Sequence, residues 1–301
     1  MRRILITGGS GFLGSILASI LSPRHEVYAG YLNSQAGSFG MPLRFDIRDG
    51  EQVAQAFATA RPDCVIHTAA LTKPDYCEIR QEETRAVNVL GTRHVACACN
   101  TLGAKLIHIS TDLVFDGTKG NYSEDDPVEG INEYSRSKIA AEQIVLAESP
   151  NGVILRLSVL YGPRFSANAG FIDEMVGHWQ KGEAMGLFTD QYRTPTFAPQ
   201  VADAVERILA QPHIAGLFHL GGAERLSRYE FATMVANVVA APAQLLRRSS
   251  MLDHAGPAKR PQDCSLASEK IRRALGITPV RLAEGLSELV QQGFLTALNR
   301  T

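Results

Sequence analysis

Long hydrophobic runs are missing from this 301-residue sequence. No apolar stretch approaches the roughly 20 residues of a spanning helix, so no membrane role is expected. Met1-Arg2-Arg3 and Ile4-Leu5-Ile6 run into Thr7-Gly8-Gly9, too soon for a secretory leader. An excess of one charge is missing too. Lys and Arg total 30 against 31 Asp and Glu, a formal net charge of −1. Without a strong positive field, no nucleic-acid partner is expected. Cysteine is scarce: Cys64, Cys77, Cys97, Cys99 and Cys264 form no CxxC pair. That argues against a disulfide frame or a zinc ribbon. The eight histidines contain no HExxH, and no metal is expected. A cytoplasmic protein with reduced thiols is the expectation. With 45% hydrophobic and 20% charged residues, the chain is not a disordered one.

What is present is an alternation. Residues 3–7, 26–31, 42–45, 64–67, 105–109 and 153–157 read as short apolar strands. Residues 12–21, 51–60, 83–102 and 133–148 between them carry helical patterns. This predicts βαβ units and an α/β fold with a doubly wound parallel sheet. After about residue 161, helical patterns dominate at 170–181, 199–210, 227–240 and 282–296, with one strand-like run at 216–220. A smaller, mostly helical lobe follows. The expected division gives residues 1–163 and about 194–216 to a dinucleotide-binding domain. Residues 164–193 and 217–301 form a substrate lobe, with a ligand in the cleft between them.

The first strand runs into Gly8-Gly9-Ser10-Gly11-Phe12-Leu13-Gly14, with Gly8, Gly11 and Gly14 spaced G-x-x-G-x-x-G. Strand, glycine turn and helix in that order suit a pyrophosphate, which needs close backbone approach and free helix-start amides. The stretch 27–34 after the second strand holds neither the usual ribose-binding acid nor an arginine. A missing carboxylate leans toward NADPH, with NADH open. Asp46 is either a partner of the adenine amine or a helix cap. Asn33 and Ile47 complete the expected adenosine contacts.

The fifth strand is followed by Ser110-Thr111-Asp112, and Tyr134-Ser135-Arg136-Ser137-Lys138 comes later. On a helix Tyr134 and Lys138 share one face. An ammonium beside a phenol lowers its pKa from about 10, giving a tyrosine able to move a proton at a carbonyl oxygen. The Thr111 hydroxyl, at the carboxyl end of a strand, is placed to hold that same oxygen.

These residues together resemble the extended short-chain dehydrogenase/reductase superfamily, and most closely the dTDP-4-dehydrorhamnose reductase family. Residues 110–117, Ser-Thr-Asp-Leu-Val-Phe-Asp-Gly, are similar to that family's STDYVFDG. Residues 86–92 resemble its AxNxxGT helix, and Arg156-Leu157-Ser158 its RTS strand end. Pro195-Thr196, residues 227–232 and Arg260-Pro261 fall where it carries PT, SWYEFA and RP. The resemblance implies hydride transfer from a nicotinamide to the C4 ketone of a nucleotide-linked 4-keto-6-deoxy sugar. It makes Tyr134 the proton donor and Lys138 the holder of the nicotinamide ribose. Thr111 and Asp112 would orient the ketone. Gly8, Gly11 and Gly14 would face the pyrophosphate, Ala69 and Ala70 line the groove, and residues 158–160 approach the nicotinamide. Arg193 and Arg260 are candidate diphosphate ligands, with a solvated surface role as the alternative. Departures are Arg228 in place of an aromatic, Leu157 in RTS, and Asp263, for which Arg260 and Lys259 are the expected partners.

Asn88, mid-helix, is either site-organising or structural. Cys97 and Cys99 are expected to be buried, and Trp179 to pack in a core or interface. Two rival functions share the fold. One is an epimerase or dehydratase with bound NAD, against which the missing ribose acid counts. The other is a non-catalytic cofactor-binding subunit, of the kind that partners methionine adenosyltransferase, against which the intact Thr111, Tyr134 and Lys138 count. The expected partner is a nucleotide-sugar substrate, and a homodimer is left open.

Overall fold

Ile4, Leu5 and Ile6 are fully buried in Arg3–Thr7 (β1), an apolar run facing both ways. Such a run belongs in a sheet covered on both faces, and there the computed structural model places it. The structure describes residues 1–34, 39–168, 170–253 and 255–298. The other strands of this sheet are β2 (Glu26–Tyr31), β3 (Met41–Arg44), β4 (Cys64–His67), β5 (Lys105–Thr111), β6 (Val153–Leu157) and β7 (Gly216–Leu220). They pair in parallel in the order β7-β6-β5-β4-β1-β2-β3. The chain winds outward from β1 to β3, then returns to lay β4 on the other side of β1. The expected doubly wound sheet is present, and its switch point lies between β1 and β4, where such sheets bind ligands.

The longer helices are α1 (Phe12–Leu21), α2 (Gly50–Ala60), α3 (Thr92–Leu102), α4 (Glu133–Glu148), α5 (Phe171–Gln180), α6 (Ala198–Ala210), α7 (Arg228–Val239), α8 (Glu269–Leu275) and α9 (Leu282–Gln291). Ile4 and Ile6 face a core shared with α1, α6 and α8, through Ile16, Leu17, Val201, Val205, Ile271 and Leu275. Leu5 faces the opposite core, with Val53 and Phe57 of α2, Val95 of α3 and Val145 of α4. The small lobe packs α5, α7 and α9 around Met175, Trp179, Phe231, Leu286 and Leu289. Trp179 is therefore a core residue.

Several boundaries differ from the sequence reading. β7 is hydrogen-bonded to β6 along its whole length, so residues 217–220 belong to the large sheet, not to the small lobe. α8 likewise packs on the large core. The chain crosses between lobes more often than the expected division allows. The pattern over 83–102 is not one regular helix: a π-helical segment, Ala86–Gly91, interrupts it. α9 stops at Gln291, short of residue 296, before Gly293 turns with φ +77°. Cys99 is buried, but Cys97 points to solvent. Among the described residues no helix is long and apolar enough to cross a membrane, and no cluster of His, Cys, Asp and Glu could hold a metal ion.

Candidate active site

The carboxyl ends of β1, β4 and β5 open on one cleft of about 910 Å³, walled on its far side by Phe171, Glu174 and Arg228 of the small lobe. Gly8 leaves β1 with a left-handed φ of +70°. Its carbonyl accepts from Gly11 N at 2.9 Å, and α1 starts at once. A side-chain carbon at Gly8 would lie 2.8 Å from the Ala69 backbone nitrogen. One at Gly14 would lie 2.2 Å from the Gly8 carbonyl oxygen. The turn is thus closed to side chains, and Gly14 lets α1 pack directly on it. The α1 N-cap has no side-chain hydrogen bond and its first turn no acid. Free amides and a positive dipole end face the cleft, which suits a dinucleotide's pyrophosphate. Phe12, Leu13, Ala69 and Ala70 stand in the same wall.

At the β2 end, Asn33 lines the cleft with Asp46, Ile47 and Arg48. Asp46 is not a helix cap. Asp49 caps α2 by accepting from Glu51 N at 2.9 Å and Gln52 N at 3.2 Å. Asp46 instead holds Arg48, whose Nε and Nη2 reach its Oδ2 at 2.9 and 2.6 Å. That guanidinium holds the Asp46 carboxyl below its usual range. The sequence reading saw no cation near the end of β2. Arg48 arrives there from the loop after β3.

At the β5 end, Thr111 is the last strand residue, and its hydroxyl donates to Asp112 Oδ1 at 3.2 Å. Asp112 is buried. Its Oδ2 accepts from Ser158 Oγ at 2.7 Å and lies 3.4 Å from Arg193 Nε. Burial raises its pKa, and Arg193 opposes the rise. α4 is fixed by Asn132, which accepts from Ser135 N at 2.9 Å. Tyr134 and Lys138 follow on its buried face and line the cleft with Thr111, Asp112 and Ser158.

Lys138 does not do what its spacing from Tyr134 predicts. Its Nζ reaches into β5 and donates to Ile109 O at 2.8 Å, with His108 Nε2 at 3.1 Å. Burial lowers its pKa to about 8. Burial dominates at Tyr134 too and pushes the phenol well above 10, with only the nearby Thr111 hydroxyl opposing. The phenol is therefore held protonated rather than acidified. His108 was missed by the sequence reading. Its signal was a ring in the middle of an otherwise apolar strand.

The chain matches the RmlD substrate binding domain family over residues 1–294. It belongs to that family. It is an extended short-chain dehydrogenase/reductase of the dTDP-4-dehydrorhamnose reductase branch, and the resemblance found in its motifs holds along the chain. It is 34% identical to a probable low-salt glycan biosynthesis reductase of Haloferax volcanii over 94% of this chain and 96% of the relative. It is 31% identical to the dTDP-4-dehydrorhamnose reductase of Aggregatibacter actinomycetemcomitans over 93% and 95%. It is also 30% identical to methionine adenosyltransferase 2 subunit beta of Rattus norvegicus over 93% and 85%. A crystal structure of the Bacillus anthracis dTDP-4-dehydrorhamnose reductase in complex with NADP superposes with a TM-score of 0.86, at 28% identity over 97% of this chain and 99% of that one.

Within this reductase family frame, two candidate arginines move. Arg193 is neither a solvated arginine nor a free diphosphate ligand. It is buried against Asp112, and its terminal nitrogens donate to the carbonyls of Tyr192 (2.6 Å), Pro261 (3.2 Å) and Gln262 (3.3 Å). Arg260 is not among the residues lining the cleft and pairs with Asp75. Asp263 is held by Arg225, Nε to Oδ2 2.6 Å, rather than by Arg260 or Lys259. Asn88 is structural and site-organising at once. It accepts from Leu71 N at 2.8 Å and donates to Leu71 O at 3.0 Å and Ser137 Oγ at 2.9 Å.

Proposed function

We propose that this chain reduces the C4 ketone of a nucleotide-linked 4-keto-6-deoxy sugar with NADPH. One observation carries the reading: Thr111, Tyr134 and Lys138 share a single cleft with the glycine turn at its other end. Gly8, Gly11, Phe12, Leu13 and the α1 amides would hold the pyrophosphate. Asn33, Asp46 and Ile47 would hold the adenosine, with Arg48 the cation beside it. Ala69, Ala70, Lys138 and Ser158 would line the nicotinamide half. The NADP complex of the Bacillus anthracis relative supports this choice. The bound cofactor supplies the hydride.

The residues supply the rest. Thr111 turns its hydroxyl from Asp112 to the ketone oxygen. Asp112, locked by Ser158 and Arg193, keeps Thr111 at the strand end. Tyr134 gives its proton to the alkoxide that develops at C4. Burial favours the protonated, donating form of the phenol.

The test is loss of NADPH absorbance with a dTDP-4-keto-6-deoxyhexose. Tyr134→Phe should lower kcat by about 10²- to 10⁴-fold with NADPH affinity unchanged. Normal turnover in that variant would refute the assigned donor. NADPH binding without turnover across a panel of nucleotide-linked ketosugars would favour the non-catalytic subunit role, for which the methionine adenosyltransferase relative stands.

A further inference from the structure

Arg228 sits in the cleft wall with terminal nitrogens that nothing in the fold uses. It is the first residue of α7, whose start is fixed by a reciprocal cap. Ser227 Oγ accepts from Glu230 N at 3.1 Å, and Glu230 Oε2 accepts from Ser227 N at 2.7 Å. Arg228 N donates to Gln191 O at 3.1 Å, and its Nε to Gln191 Oε1 at 3.2 Å. The guanidinium carbon lies over Phe171, 4.6 Å from the ring centroid. Backbone, Nε and the ring contact therefore hold the side chain in place. Among the described residues, neither Nη atom has a hydrogen-bond partner, and no carboxylate comes within 4 Å of the guanidinium. The other arginines around this end differ. Arg193 spends its donors on Asp112 and three carbonyls, and Arg260 pairs with Asp75.

The charge is real at neutral pH. Burial and the neighbouring Arg193 lower the Arg228 pKa only to about 10, while Asp112 and Glu174 work in the other direction. A fixed, charged, planar fork with its terminal donors unused on a cleft wall is an anion receptor. The aromatic at this place in the SWYEFA motif that residues 227–232 resemble is a tryptophan, which would offer a stacking face and one neutral N–H but no charge.

We propose that Arg228 binds an anionic group of the substrate at the sugar end of the cleft, either the nucleoside diphosphate or a carboxylate on the sugar. The proposal rests on the nucleotide-sugar reading above and deepens it. Its test measures binding by calorimetry for the wild type, Arg228→Gln and Arg228→Lys. The probes are dTDP, NADPH, and a nucleotide-linked hexose with and without a C6 carboxylate. Arg228→Gln should weaken an anionic probe by about ten- to a hundredfold, Arg228→Lys by much less, and NADPH affinity should hold in both. Loss with dTDP itself assigns the diphosphate. Loss confined to the carboxylated sugar nucleotide assigns the carboxylate. Equal affinity of all three proteins for every sugar-side probe overturns the proposal. If Arg228→Gln does not fold, Arg228→Met takes its place, and wild-type affinity of that variant for every sugar-side probe overturns the proposal as well. Arg228-dependent dTDP binding without NADPH oxidation by any ketosugar leaves this inference standing and sinks the reductase reading alone.

Discussion

Lys138 shows how one side chain's partners decide its chemistry. Sequence spacing places it one helical turn from Tyr134, and that much is correct. Its ammonium, however, is drawn to the Ile109 carbonyl and His108, acceptors supplied by a strand far away in sequence. Burial costs the charged form, so the pKa falls from 10.5 to about 8. The sign follows for activity. The ammonium is present below about pH 8 and lost above it. If it holds the nicotinamide ribose, kcat/KM should fall as pH rises through about 8. Because the Tyr134 phenol titrates far higher, that limb belongs to Lys138. A pH–rate profile of Lys138→Met should be slower throughout and lack the limb. A limb that persists unchanged in the variant would return the assignment to Tyr134.

The π-helical segment between the short helix Gln81–Arg85 and α3 lines the cleft through Val87 and also serves the site from behind. A π turn widens the helix by one residue and commonly marks a functional position. Here it turns Asn88 toward the loop after β4 and toward α4 at once, joining Leu71 to Ser137. Ser137 Oγ in turn donates to the Tyr134 carbonyl at 2.7 Å. Asn88→Ala leaves Leu71 N and O without those partners in a buried place and should cost about 1–3 kcal/mol. Urea unfolding measures that loss, and kcat should fall with it because the Tyr134 turn loses its brace. A variant as stable and as active as the wild type would make the contact incidental. The strands were legible because their signal is local: β1, β2, β4 and β6 are apolar runs ended by turn residues, found at their observed bounds. The glycine turn, Thr111, Tyr134 and the cleft they share were legible for the same reason. The π turn was not, because helical periodicity is nearly the same on either side of one inserted residue. The partners of Arg193, Arg260 and Lys138 were not, because each is chosen by an element brought in from elsewhere. β7 was seen as a strand but given to the wrong lobe, since nothing within residues 216–220 says which sheet they join.

At the scale of the whole molecule, the sheet itself is pH-sensitive. His67 on β4, His108 on β5 and His219 on β7 are all buried in it. Burial, with Lys138 nearby, lowers the His67 pKa to about 3, and burial with Arg156 does the same for His219. His108 falls well below 6.5 through burial, Lys138 and His67. The His67 and His108 rings lie 5.2 Å apart, so charging one opposes charging the other. Neutrality is also what lets His108 Nε2 accept from Lys138. All three pKa values are depressed from an unfolded value of about 6.5. Between roughly pH 3 and 6.5 the unfolded chain therefore holds protons that the folded one refuses, and stability rises with pH across that window. As pH drops below about 6.5, the three rings together should remove up to about 4 kcal/mol per pH unit. Calorimetry at about pH 5.5, in two buffers of different ionisation enthalpy, should find uptake of between about two and three protons on unfolding. Uptake near zero would mean that these rings are already charged in the folded sheet. Lys138 would then have lost one of its two acceptors and kept only the Ile109 carbonyl.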